Sequence, residues 1–336
     1  MKKMLLSCVW ALVLAAPGHA QDVVLRYSEW IPPTHTQNAR VIRPYLEEIS
    51  EVTEGRVVVE ISSAPLGPPP RNYQLVADGI ADMAWGVHGF TPGVFPASEL
   101  VELPFHSTNS VANSVAYWKV FKEYLEPAGM HSGVHTLAMH TQVPGQIFNS
   151  VRAIEGPDDL TGLKIRATNN AVGAALNKLG ATPVGMPVTE MRDALEKGIV
   201  DGVSLSNEGL YNFGIEEFVD YEMRVPGGLY NVSMFLVVNQ AKWDQISPED
   251  QAAIMEISGE AFSRRIGEVW QEEQDKYEVK SREDGLTVTE VDGDFLAYVE
   301  DKLGSSDADW IAKMEGGKLK FDAAAALARY RELSKQ

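Results

Sequence analysis

The chain has 336 residues, with 47 acidic against 29 basic side chains, a net charge of −18 and one cysteine, Cys8. Nucleic acid and unaided adhesion to an anionic membrane both call for a basic surface, which this balance argues against. Two domains are the default at this length, and without a second thiol the fold rests on a large core rather than on disulfides.

The first residues have the pattern of an export leader. Lys2 and Lys3 precede an apolar run from Met4 to Ala16, and Gly18-His19-Ala20 supplies small residues before Gln21. That run is too short for a stable membrane anchor, so a signal peptide over 1–20 is expected, removed together with Cys8. Leu6 and the brevity of the apolar run argue against Cys8 as a lipid acceptor. No later segment is long and apolar enough to span a bilayer.

Val23 to Ser28 alternates as a first strand, and a loop over 29–36 carries Trp30. A helix runs to about Glu54 and stops at Gly55, and Val57 to Ile61 is a second strand. Pro65 to Pro70 turns into a short helix ending at Gly79. Met83 to Val87 is a third strand carrying Trp85, with Gly86, His88 and Gly89 at its exit. Asn109 to Leu125 is helical. In the second half, strand Leu163–Ala167 and helix Asn170–Leu179 are followed by helix Val188–Lys197. Asn231 to Asn239 is an apolar strand expected to pass between domains. Ser247-Pro248-Glu249-Asp250 opens a helix whose apolar spacing persists past about thirty residues, long enough to brace both domains. Phe321 to Leu333 closes the chain as an amphipathic helix.

One pattern occurs twice. Leu75 to Ala84 and Leu195 to Val203 each read as a helix end, a Gly stop, two further residues, an Asp and a strand. Two such corners in different halves imply two α/β sheet domains. Ligands of open α/β sheets bind beyond the carboxyl ends of the strands, so two facing domains make a cleft.

Enzyme signatures are absent: there is no GxGxxG, Walker lysine loop or HExxH, and Gly202-Val203-Ser204-Leu205-Ser206 lacks the second Gly of a nucleophile elbow. His131, His135 and His140 lie in a segment that reads as a strand. Its alternation sends His140 to the opposite face, so no metal site and no cofactor is expected. Asp292-Gly293-Asp294 is too short for a calcium loop, and the sequon Asn231-Val232-Ser233 lies in a buried-looking strand. Arg166 is the main candidate. It alternates away from Leu163 and Ile165, at a strand's carboxyl end just before a helix N-terminus at Asn169-Asn170, where a guanidinium suits a carboxylate. The alternative is an arginine paired to a surface acid. Trp30 and Trp85 fit either core packing or the cleft edge; in the cleft they favour a ligand with an apolar or cationic portion.

Gly156 to Ala167, Leu179 to Pro187 and Glu190 to Gly202 resemble the solute-binding proteins of TRAP (tripartite ATP-independent periplasmic) transporters. Leu66-Gly67, the Asp78-to-Asp82 corner and Glu102-Leu103-Pro104-Phe105 extend the resemblance over most of the chain after the leader. It implies an α/β, two-domain periplasmic binding protein: hinged lobes, a central cleft and a long bridging helix. Domain I is expected over 22–143 with 234–262, and domain II over 144–233 with 263–336. The implied function is periplasmic capture of a small organic acid and its delivery to integral membrane TRAP subunits for ion-gradient-driven uptake. Such a protein is not an enzyme. Alternatives are the binding protein of an ATP-driven importer, a solute-sensing partner of a receptor or, further off, a periplasmic enzyme.

By the same resemblance Arg166 matches the arginine that grips the ligand carboxylate. The expected ligand-binding set is Arg166, Trp30, Trp85, Gln146, Gly86, His88, Asn207, Glu208 and Tyr211. Two departures bear on the ligand. The family often has Gln-Glu-Asn-Pro where this chain has Val203 to Asn207, and often a second Arg where it has Gln146. One strong cation fewer favours a monocarboxylate with an apolar, aromatic or zwitterionic remainder over a dicarboxylate.

Overall fold

The computed structural model describes residues 23–106 and 109–335, so the expected leader lies outside the described residues. Val23–Ser28 (β1) buries Leu25 and Tyr27 and leaves Val24 and Arg26 outside, as its alternation dictates. A π-turn at 38–42 leads into Arg43–Val52 (α1), which lays Tyr45, Leu46 and Ile49 on the core. Val57–Ile61 (β2) then pairs parallel with β1. Asn72–Ala77 (α2) returns the chain to Met83–Val87 (β3), buried along its whole length. Asn109 caps Ser110–Val120 (α3), accepting from the N–H groups of Val111 and Ala112, and Val134–Thr141 (β4) follows.

Residues 142–145 carry the chain to a second sheet, which begins with Gln146–Asn149 (β5). There Lys164–Ala167 (β6), Asn170–Lys178 (α4), Thr182–Gly185 (β7), Met191–Glu196 (α5) and Gly202–Leu205 (β8) form successive parallel units. Asn207–Asn212 (α6) and Tyr221–Arg224 (β9) complete this pass. The chain returns through 225–232 to Ser233–Asn239 (β10) of the first sheet, then runs through Gln240–Trp243 (α7), Pro248–Ile257 (α8) and Gly259–Glu283 (α9). It ends with Thr287–Glu290 (β11), Gly293–Leu303 (α10), Ser306–Glu315 (α11) and Ala323–Leu333 (α12).

The sheets have orders β2-β1-β3-β10-β4 and β11-β9-β5-β8-β6-β7. Each takes in one antiparallel strand that has just crossed from the other lobe: β10 between β3 and β4, and β5 between β8 and β9. The two crossing segments are laced together. Gly145 N–H donates to the Tyr230 carbonyl (2.9 Å), and Leu229 N–H donates to the Gly145 carbonyl (3.1 Å).

The repeated corner is the same object in both lobes. Gly79 (φ 71°) and Gly198 (φ 63°) take the left-handed conformation. The following Ile80 and Ile199 close on Leu75 and Ala194 at 2.8 and 2.9 Å. The Asp does more than punctuate. Asp82 Oδ2 accepts the Arg26 N–H of β1 (2.9 Å), and Asp201 Oδ2 accepts the Lys164 N–H of β6 (2.8 Å). Each ties the start of the third strand of its unit to the first.

Two expectations change. The long helix is two, α8 and α9, broken at Ser258 in an extended conformation and Gly259 at φ 54°. The Ser258 hydroxyl donates to the Ile254 carbonyl, and Trp118 packs where a Gly259 side chain would stand. Helix α9 alone makes the brace, against α3 and β4 of one lobe and α6 of the other. The expected assignment of 263–336 to the second lobe fails beyond α10. Trp310, Met314, Leu327 and Tyr330 of α11 and α12 share a core with Tyr117, Phe121 and Leu125 of the first lobe. The apolar stripes of these helices find their partner there, so the chain crosses once more after Leu303.

Candidate functional site

The carboxyl ends of β1, β3, β6 and β8 face one another across a cavity that is tightly closed, with about 40 Å³ of free volume at its centre. The lobes are closed over it. Thr36 N–H and Oγ1 of the first lobe reach Asn212 Oδ1 of the second at 3.2 and 3.1 Å, and a side chain on Gly89 would collide with Asn169.

Arg166 of β6 is wholly buried in the cavity wall. Its Nε donates to the Met186 carbonyl (3.1 Å), and Nη1 donates to Thr168 Oγ1 (2.7 Å) and the Ser204 carbonyl (3.2 Å). Nη2 has no partner. No carboxylate among the described residues pairs with this guanidinium, which sets aside the surface-acid alternative. Burial pulls its pKa down to about 10, opposed only by Tyr230, so it remains charged at neutral pH. A buried cation without a counter-charge is costly, and an anion at Nη2 removes that cost. Thr168 Oγ1 also contacts Ser204 Oγ (2.9 Å) and Tyr230 Oη (3.1 Å), so the fork is held from behind.

Facing it is an aromatic wall. The rings of Trp30 and Trp85 stack with centroids 5.3 Å apart, and Phe90 meets Trp30 edge-on at 5.8 Å. Trp30 Nε1 donates to the Trp85 carbonyl (2.9 Å), and Trp85 Nε1 donates to His140 Nε2 (2.7 Å). Both indoles are thus fixed by hydrogen bonds, and His140, lowered to about 3 by burial, is a neutral acceptor. Phe213, Trp270, His35 and Glu208 also line the cavity, with the His35 ring 5.1 Å from Phe213 and 6.4 Å from Trp270. Burial lowers His35 to about 4 and raises Glu208 to about 7, the latter against hydrogen bonds from Asn212 and Ser206 and helped by the charge of Glu273.

Of the expected residues, Arg166, Trp30, Trp85 and Glu208 line this cavity, and five do not. Gln146 is spent on backbone: its Nε2 donates to the Val225 carbonyl (3.1 Å) and its Oε1 accepts from Val225 N–H (2.9 Å). Gly86 is the seat of the Phe235 ring, which stands 2.4 Å from where a Cβ would be. His88 turns into the first lobe's core, with Nε2 2.8 Å from His131 Nε2. His131 itself precedes β4, in a left-handed turn, rather than lying in the strand. Asn207 donates to Glu222 and Ser281 and accepts from Gln274, knitting α6 to α9. Tyr211 stacks on Tyr277 and donates to Asp284 (2.7 Å) at the surface.

Thr168, Phe90, Gln142, His35 and Trp270 line the cavity without having been expected there. Thr168 had a signal, since it follows Arg166 by two, and Phe90 sits in the exit loop of β3. Nothing local marks His35 or Trp270, which the packing of α9 brings together.

The lining has no serine or cysteine, and its one histidine is held neutral. It presents shape, one cation and an aromatic surface, which is equipment for holding a solute. Residues 27–308 match the model of a bacterial extracellular solute-binding protein, family 7. A Comamonas testosteroni protein named outer membrane transporter protein TsaT is 31% identical over 263 residues, covering 76% of this chain and 77% of that one. A TRAP periplasmic solute-binding protein from Bordetella bronchiseptica, solved with (R)- and (S)-mandelate bound, superposes with TM-score 0.88 at 28% identity, covering 94% of this chain and 99% of that one. A marine metagenome TRAP solute-binding protein specific for aromatic acid ligands, solved with metahydroxyphenylacetate, superposes with TM-score 0.86 at 30% identity over the same shares. These likenesses select TRAP capture over an ATP-driven importer, a receptor sensor or an enzyme. The chain therefore belongs to family 7 of the bacterial extracellular solute-binding proteins, the periplasmic proteins that capture small organic acids for TRAP transporters.

Proposed function

We propose that the solute is a small aromatic monocarboxylate, its carboxylate on Arg166 and its ring against Trp30 and Phe90. One observation carries this: a buried guanidinium with an unpartnered Nη2 in a cavity walled mostly by aromatic and aliphatic side chains. A second ligand carboxylate would meet no second cation there and would stand near Glu208 and Glu273, at a large desolvation cost. The ligands of the Bordetella and metagenome proteins, mandelate and metahydroxyphenylacetate, belong to the class that this wall suits.

In this reading Trp30 supplies the ring contact, Trp85 backs it by stacking, and Thr168 aims the fork. Titration calorimetry of protein stripped of ligand tests it. Benzoate and mandelate are expected to bind at micromolar Kd or tighter, about −8 kcal/mol, and succinate far more weakly. Arg166→Ala is expected to lose about 2–5 kcal/mol for every carboxylate, because it removes a buried charge-assisted pair. Wild-type affinity in that variant, or succinate as the preferred ligand, overturns the assignment.

A further inference from the structure

We propose that the cavity also selects a hydroxyl on the ligand's ring, with Glu208 as its hydrogen-bond acceptor and the N–H groups of Trp270 and His35 as its donors. This rests on the reading above, in which the carboxylate occupies Arg166.

Four observations place these groups together. Glu208, Trp270 and His35 all line the cavity, and each is at most 3% exposed. The rings of His35 and Trp270 lie 6.4 Å apart. Asn212 donates to Glu208 Oε2 (2.6 Å) and accepts from the N–H of Thr36, the neighbour of His35. Trp270 stands one turn before Glu273 on α9, and Glu273 is the charge that acts on Glu208. Arg166 lines the same cavity, and no hydrogen bond or ion pair joins it to Glu208, Trp270 or His35 among the described residues.

Each group has capacity left. Trp270 Nε1 is buried with no partner. His35 Nδ1 accepts from the Gln37 N–H (3.3 Å), so the ring proton is on Nε2, which donates to nothing among the described residues. Glu208 accepts one bond at each oxygen, from Ser206 Oγ (2.8 Å) and Asn212 Nδ2, and has no cation partner among the described residues. A carboxylate oxygen accepts two bonds, so acceptor sites remain.

The chemistry of the second ligand group follows from this inventory. An ammonium has no lone pair to offer two N–H donors. A carboxylate has no proton to offer and adds a like charge beside Glu208 and Glu273. A bare ring edge leaves both N–H donors unmet in a buried site, which is the expensive outcome, and leaves the spare acceptor sites of Glu208 unused. A hydroxyl donates once and accepts twice, which matches one carboxyl and two N–H groups.

The test is calorimetry of the full mature chain, unfolded to release ligand and refolded, against benzoate, 3-hydroxybenzoate and 4-hydroxybenzoate. At least one hydroxylated isomer is expected to bind on the order of 10- to 100-fold more tightly than benzoate. In Glu208→Gln, which keeps an acceptor for Asn212 and a partner for Ser206, and in Trp270→Phe, the ratio of hydroxylated-isomer to benzoate affinity is expected to fall toward one, each ratio being taken within the same variant so that any general change in carboxylate binding cancels. Benzoate binding as tightly as both hydroxylated isomers overturns the hydroxyl subsite and leaves the Arg166 reading standing. A preference that survives in both variants overturns the assignment to these residues. Absence of binding by all three acids overturns the Arg166 reading and this inference together.

Discussion

Arg166 and Glu102 show how one physical term, burial, acts on opposite charges in the same molecule. The guanidinium is lowered to about 10 and stays ionised, awaiting an anion. Glu102, whose Oε1 accepts from Ser233 N–H (3.1 Å) and Oγ (2.6 Å), is raised to about 8 by burial despite those bonds. Since its folded pKa lies above the unfolded value near 4.5, its contribution to stability is full below that value and is lost as pH rises through about 8. Glu102→Gln keeps an acceptor and cannot ionise. Its melting temperature is expected to fall less than wild type between pH 6 and 8.5; parallel curves for the two proteins would sink the argument.

The residue scale is also where the sequence was least legible. Arg166 was readable because strand alternation and a following helix fix where it points. Gln146 was not: the same alternation places it near the crossing, but whether its amide meets a ligand or the Val225 backbone is decided by a strand about eighty residues away. Trp270 and His35 become neighbours only through tertiary packing, which no local pattern encodes.

At the scale of elements the sequence spoke more clearly, because its signals are short-range. The two Gly–Asp corners were visible as a repeat, and the structure adds why Asp recurs: its carboxylate closes the first strand of each unit. The break between α8 and α9 was missed because Ile254, Ile257 and Ala261 keep helical spacing across it; the signal was Ser258-Gly259, a pair that favours a stop. Gly267, farther along α9, has another role. A Cβ there would lie 2.8 Å from Val111 Cα and 2.9 Å from the Ser110 carbonyl, so α9 lies directly on the α3 backbone. Ala normally stabilises a helix interior by about 1 kcal/mol over Gly, whereas overpacking against backbone costs about 1–3 kcal/mol. The clash wins on these magnitudes. Gly267→Ala is expected to lower the melting temperature, and a rise would refute the close approach.

For the whole molecule, acid is the predicted weakness. His35, His88, His131 and His140 are all buried, and burial lowers each, His35 to about 4, His131 and His140 to about 3, and His88 well below its ordinary value. Their unfolded value is near 6.5, so this part of the stability is present above pH 6.5 and is lost as pH falls toward 4. Each such group adds up to about 1.4 kcal/mol per pH unit to the loss, against a total stability of about 5–15 kcal/mol. Glu208 and Glu102 work the other way and offset part of it. Denaturant titrations at pH 7, 6 and 5 are expected to show stability falling with net proton uptake on unfolding; a flat profile would contradict the buried, neutral state of the four rings.

The lacing of Gly145 to the Leu229–Tyr230 segment has a mechanical consequence. Crossing segments joined by two backbone hydrogen bonds bend together more easily than they slide past one another, so the lobes are expected to open and shut about this line. Closure about one line is expected to look the same whatever the cargo. A membrane partner that senses this movement learns that the carrier is loaded but not with what, and discrimination among cargoes rests wholly on the side chains enclosed at the centre.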